Sequence, residues 1–133
     1  MTATVQIVLP DEAKTTPMRF DRGVTASLVD GRGSGTLLDA HINVVTVGSA
    51  DGPFHVHRTM ENFYLVLKGT LSLRLEDGPH ELPAGTAVCI QPGVPHSASN
   101  HGDVPLQLLE IYTPASALPD FEIVENAGHP AAP

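Results

Sequence analysis

The sequence predicts an all-β domain, a sandwich or barrel of short strands. Candidate strands recur about every 10–20 residues. No apolar stripe of helical period persists for ~12 residues. Gly and Pro occur 12 times each in 133 residues, which suits many short elements joined by turns.

In chain order, Thr4–Leu9 (TVQIVL) reads as a first strand that ends at Pro10. Asp30–Gly35 (DGRGSG) reads as a loop. Ile42–Val47 (INVVTV) is short and β-branched, a strand composition. Phe63–Leu67 (FYLVL) is a nearly continuous apolar run, and Leu71–Leu75 (LSLRL) alternates with period 2. Lys68-Gly69-Thr70 joins those two as a hairpin. Ala87–Ile90 (AVCI) is a further strand, entered through Leu82-Pro83-Ala84-Gly85, with Cys89 read as a buried small residue. Leu106–Tyr112 (LQLLEIY) is the last clear strand. Pro114, Pro119, Pro130 and Pro133 then predict an irregular, partly mobile tail. The whole reads as one domain over 1–133: an N-terminal segment 1–39, a barrel core at about 40–113, and a tail 114–133.

Hydrophobic residues make up 41% of the chain and charged residues 17%, enough apolar material for a core. The net charge of −8, with 7 Lys+Arg against 15 Asp+Glu and no basic patch, argues against nucleic acid and anionic membranes as partners. Cys89 is the single cysteine, so no intrachain disulfide forms and a reducing compartment is the simpler setting. There is no basic n-region followed by an apolar h-region, and no apolar run near ~18 residues. The expectation is a cytoplasmic protein.

Seven histidines in this length is a high count. His55-Val56-His57 places two imidazoles two residues apart, and on a strand both then point to one face. His96 follows Gln91-Pro92-Gly93-Val94-Pro95, a turn that ends a strand. Two ligands from a strand and one from a distant loop leave coordination positions open for water or substrate, the pattern of a catalytic metal rather than a closed structural one. Taken alone, an H-x-H pair is more often a surface or hydrogen-bonded feature. His41, His80, His101 and His129 read as loop or solvated histidines.

The wider pattern resembles the cupin superfamily. Its first motif appears as Gly48-SADGPF-His55-Val56-His57-RTM-Glu61-Asn62-FYLVLK-Gly69. Its second appears as Gly85-TAVCI-Gln91-Pro92-Gly93-VP-His96-SAS-Asn100, with Gln91 where the family usually has Pro. The resemblance covers residues 48–100 and implies a double-stranded β-helix, or jelly-roll, barrel. It also implies a single divalent metal ion held by His55, His57 and His96. Zn or Fe fits best; Mn, Ni and Cu are not excluded by imidazole ligands. Glu61 matches the family spacing from the histidines, whereas Asn62 matches the spacing back from Gly69. A one-residue slip reverses the face of a strand side chain. Either Asn62 points at the metal, as a carbonyl ligand or a hydrogen-bond partner of a bound water, or a bulge turns Glu61 inward. The hairpin glycine favours Asn62. Three imidazoles and an amide would leave the full +2 charge on the ion.

Three more residues are candidates for contacting a substrate: Arg74 as an anion clamp, Gln107 as a polar group in an apolar strand, and Tyr64 as a phenol donor. Two of them also have a plain structural reading: Arg74 solvated on an outer face, and Tyr64, like Tyr112, packed in the core. The resemblance implies a metal-dependent enzyme acting on a small organic metabolite. Lewis-acid cyclisation, isomerisation or dehydration, as in the family's single-domain polyketide cyclases, competes with O2-dependent dioxygenation; decarboxylation would need Glu61. The alternative is a cupin that binds or senses a small molecule without turnover. The resemblance further implies a homodimer, with Thr4–Leu9 available for exchange between subunits.

Overall fold

A computed structural model describes residues 5–116 and 118–125. The elements among them are β1 (Lys14–Pro17), a 3-10 turn (Arg19–Asp21), β2 (Gly23–Val29), α1 (Gly31–Ser34), β3 (Asp39–Val45), β4 (Phe54–Val56), β5 (Glu61–Lys68), β6 (Thr70–Leu75), β7 (Gly78–Pro83), β8 (Ala87–Ile90), β9 (Ser97–Ser99), β10 (Leu106–Thr113) and β11 (Glu122–Glu125). Every described pairing is antiparallel. One sheet runs β1-β2-β3-β10-β5-β8; a second runs β7-β6-β9; β4 and β11 form a ribbon.

The two larger sheets share a core. Val45, Tyr64, Val66, Ile90, Leu106 and Leu108 come from the six-stranded sheet and meet Leu71 and Leu73 of β6. Alternation explains the assignment: Asn62, Tyr64 and Val66 are buried on β5, and Leu106, Leu108 and Glu110 on β10. Register then stacks inward residues in rows across three strands. Glu110 lies opposite His41 and Tyr64, and Tyr112 opposite Asp39 and Asn62. The β5–β6 hairpin turns at Gly69 with φ +78, and a Cβ there would meet the Pro105 carbonyl oxygen at 2.8 Å.

The expected strands in the 42–112 region all form, with ends moved by up to three residues. Four expectations fail. Residues 5–9 form no strand; Val5 and Ile7 are 85% and 78% exposed and have no sheet partner among the described residues. The DGRGSG segment is a one-turn helix, with the Asp30 carboxylate accepting from the Gly33 amide. Cys89 is exposed, because it faces outward on the edge strand β8. Within the tail, β11 pairs with β4 and Phe121 stacks on His55, whereas residues 126–133 lie outside the described residues. No helix of the described residues is long and apolar enough to cross a membrane.

Candidate metal centre

Backbone pairing brings the three histidines together. The His55 amide donates to the His96 carbonyl at 3.0 Å and the His96 amide to the His55 carbonyl at 2.9 Å, so the two residues sit side by side and their rings lie 4.4 Å apart. His57, two residues on, presents its ring 4.9 Å from that of His55. The Gly93 amide donates to the His57 carbonyl at 2.7 Å and ties the second motif's turn to the first motif. All three side chains are buried, and one ring nitrogen from each lies within 4.8 Å of the others.

The tautomers follow from the hydrogen bonds. Each Nδ1 faces a backbone carbonyl, which can only accept: Pro53 for His55 at 2.7 Å, Asp120 for His57 at 2.5 Å, Val94 for His96 at 2.9 Å. Each Nδ1 therefore carries the proton, and each Nε2 presents a lone pair. Nε2 of His57 is buried without a hydrogen-bond partner, and an orphaned acceptor in that position costs free energy unless a cation meets it. Burial, followed by the charge of His96, lowers the His55 pKa to about 4, and burial lowers that of His96. The neutral rings suit a divalent metal.

Asn62 is fully buried and supplies a fourth polar atom. Its Oδ1 lies 3.2 Å from His96 Nε2, and its Nδ2 donates to Glu110 Oε2 at 3.1 Å. The donor bond to a carboxylate fixes which way the amide faces. β5 is continuous in register from Glu61 to Val66, so no bulge turns Glu61 inward; Glu61 is exposed and does not reach the histidines.

Glu110 is the residue that sequence reasoning missed. It is 5% exposed, yet its carboxylate accepts from Asn43 Nδ2 at 2.9 Å, from Tyr112 at 2.8 Å and from Asn62, and pairs with His41 Nε2 at 2.7 Å. Burial alone would raise its pKa; the bonds and charge of His41, with Tyr112 and Asn62, outweigh burial and hold it at about 2. Burial opposes charge on His41 too, but the bond to Glu110 wins and raises its pKa above 6.5. His41 is thus not a solvated loop histidine. The uncharged ligand set also has a carboxylate one hydrogen bond behind it, which polarises Asn62 and makes Oδ1 a better donor atom.

The substrate candidates fare differently. Gln107 shares the half-buried outer face of β10 with Leu109 and Ile111 and points away from the core. Arg74 lies on the reverse face of β6 from Leu71 and Leu73, with its guanidinium 4.3 Å from the Phe54 ring centroid, beside a separate cavity of about 210 Å³. Tyr64 is 2% exposed in the core, its ring 6.2 Å from that of His96, and lines neither cavity near the histidines. Those cavities are about 240 Å³, with His57, Tyr112 and Asp39 among its walls, and about 770 Å³, with Asn43 and Glu110 among its walls; Arg32, His41 and Phe121 belong to both. Phe121 stacks on His55 at 4.4 Å. His129 lies outside the described residues.

A family model for the cupin domain matches residues 42–112. An uncharacterized protein of Methanocaldococcus jannaschii is 35% identical over 62% of this chain, and Protein SchB of Streptomyces halstedii is 34% identical over 54%. The matches span 65% and 52% of those relatives' own lengths. Among solved structures, the polyketide cyclase RemF of Streptomyces resistomycificus is similar with a TM-score of 0.76, at 20% identity, over 92% of this chain and 87% of that one. A predicted oxalate decarboxylase of Thermotoga maritima has a TM-score of 0.71, at 20% identity, over 83% of this chain and all of that one. These structures share the jelly-roll fold with this chain. The family model spans more than half of the 133 residues, and the chain belongs to the cupin domain family.

Proposed function

We propose that this protein is a mononuclear metal-dependent enzyme that assists cyclisation, isomerisation or dehydration of a small carbonyl-containing metabolite. The observation that carries the reading is the convergence of three Nε2 lone pairs, each fixed by a carbonyl behind its Nδ1, with His57 Nε2 buried and unpartnered. The donors would be His55, His57, His96 and, through Oδ1, Asn62. A divalent ion held there, such as zinc, supplies Lewis acidity that polarises a substrate carbonyl.

The chain's own residues do the rest. His41, whose pKa the Glu110 carboxylate raises and which lines both cavities, gives a proton to the substrate and takes one back. Tyr112 packs its ring edge on that of His57 at 5.0 Å and hydrogen-bonds Glu110, keeping the relay and the ligands in one rigid block. Phe121 and Met60 keep water from the histidine side of the smaller cavity. The fold shared with the cyclase RemF supports this reading at the level of scaffold. The reading includes a homodimer, supported by the exposed apolar side chains of Val5, Ile7 and Leu9, and a cytoplasmic setting, the simpler one for a chain with a single cysteine.

The test follows α-proton exchange of an aryl-substituted 1,3-diketone in D2O by NMR, together with oxygen uptake. Zinc-loaded protein is expected to accelerate exchange without consuming oxygen, and His57→Ala and His41→Gln to lose at least about tenfold of it. Iron-dependent oxygen uptake would replace this reading with dioxygenation; no acceleration with any metal would replace it with binding without turnover.

A further inference from the structure

The chain is acidic, with 7 Lys+Arg against 15 Asp+Glu, yet three of those seven, Arg19, Arg22 and Arg32, line the larger cavity. Arg22 is committed: its Nε donates to the Ala50 carbonyl at 2.9 Å and its Nη2 to the Ala98 carbonyl at 2.6 Å. It is 8% exposed, and the charges of Asp51 and Glu110 act on it, so its positive charge is already met within the protein. Arg19 and Arg32 are exposed and make no side-chain ion pair among the described residues. The charge of Arg32 acts on Asp39, which lines the smaller cavity alone. The remaining walls of the larger cavity include Met18, Phe20, Pro53, Pro119, Phe121 and Ile123. At about 770 Å³ the space matches a ligand of several fused rings rather than a two- or three-carbon acid.

Resting on the proposed function, and deepening it, we infer that the substrate is an anion with a flat apolar body, carrying a carboxylate or enolate oxygen that Arg19 and Arg32 hold on the wall of the larger cavity. Guanidinium groups pair with planar oxyanions through parallel N–H donors. The apolar body lies between Phe20 and Phe121. Arg32, a wall of both cavities, holds the anion where the two meet, and the reacting carbonyl faces His57 and His41 in the smaller one.

The test is calorimetric binding of 2-naphthoate and its neutral isostere 2-naphthamide to zinc-loaded and to chelator-treated protein. Comparison variants are Arg19→Gln/Arg32→Gln and, remote from the cavity, Lys68→Gln. Naphthoate is expected to bind at least about tenfold more tightly than the amide. That preference should fall below about threefold in the double variant, with naphthamide affinity and zinc content unchanged, and persist in Lys68→Gln. Equal affinity for the two probes, no binding of naphthoate, or a preference that survives in the double variant would overturn the inference. A preference lost on chelation but insensitive to the arginines would place the anion on the metal and also overturn it. A preference that depends on the arginines in a protein that takes up no zinc would uphold the anion site while the metalloenzyme reading fails.

Discussion

A single buried carboxylate links Asn62, beside the three clustered histidines, to His41. Glu110→Gln keeps the shape but removes the charge that His41, Asn43, Asn62 and Tyr112 are arranged to meet. It is expected to cost about 3 kcal/mol of unfolding free energy in chelator-treated protein, read from urea midpoints; a change under about 0.5 kcal/mol would contradict the role. The pH dependence has a sign on each side. The Glu110 carboxyl stands at about 2 in the folded chain against 4.5 ordinarily, so its contribution is complete above 4.5 and fades as pH falls toward 2. His41 is raised above 6.5, so its contribution is complete below 6.5 and fades as pH climbs through the raised value. The stability that metal-free protein loses as pH rises above 6.5 should therefore shrink in His41→Gln; an undiminished loss would contradict the ion pair. The three histidines and Asn62 were legible because ligand spacing and a hairpin glycine both act locally. Glu110 was not, because LQLLEIY is apolar on both faces and period 2 cannot choose between them. Gln107 alternates with Leu109 and Ile111, so reading Gln107 as a substrate contact puts Glu110 on the opposite face, although an acid inside such a run was itself the signal. His41 was hidden with it, since its ion pair exists only once β3 lies beside β10.

At the level of elements, the C-terminal segment fastens the metal site. The Asp120 carboxylate accepts from the amides of Arg58, Thr59 and Met60 and from the Thr59 hydroxyl, while its carbonyl holds His57 Nδ1. Asp120→Ala is expected to weaken zinc binding about 10- to 100-fold in competition with a chromophoric chelator, and a change under twofold would show that the segment merely covers the site. Gly69→Val meets both a positive φ and the Pro105 carbonyl, and is expected to cost about 2–4 kcal/mol in urea unfolding. An unchanged midpoint would show that the hairpin does not set the register of β5. Strands with local partners were readable. The β4–β11 ribbon was not, because EIVE pairs with FHV across 66 to 71 residues and prolines in between read as breakers. The reverse error at residues 5–9 has the same cause: TVQIVL has strand composition, but nothing among the described residues pairs with it.

For the whole molecule, the fold class and barrel core were legible because many short strands with turn glycines leave few architectures open. The proposed homodimer belongs to this scale, and it is motivated by the apolar side chains of Val5 and Ile7, 85% and 78% exposed. Light scattering after size exclusion is expected to give a dimer at micromolar concentration; a monomer would refute the homodimer. The proposed metal centre of the three histidines is open to plasma mass spectrometry of untagged protein, purified without chelator and again after reconstitution, beside His57→Ala. About one equivalent of divalent metal per chain is expected, and less than about a tenth in the variant. Protein that holds no metal after reconstitution, or His57→Ala retaining it in full, would contradict it.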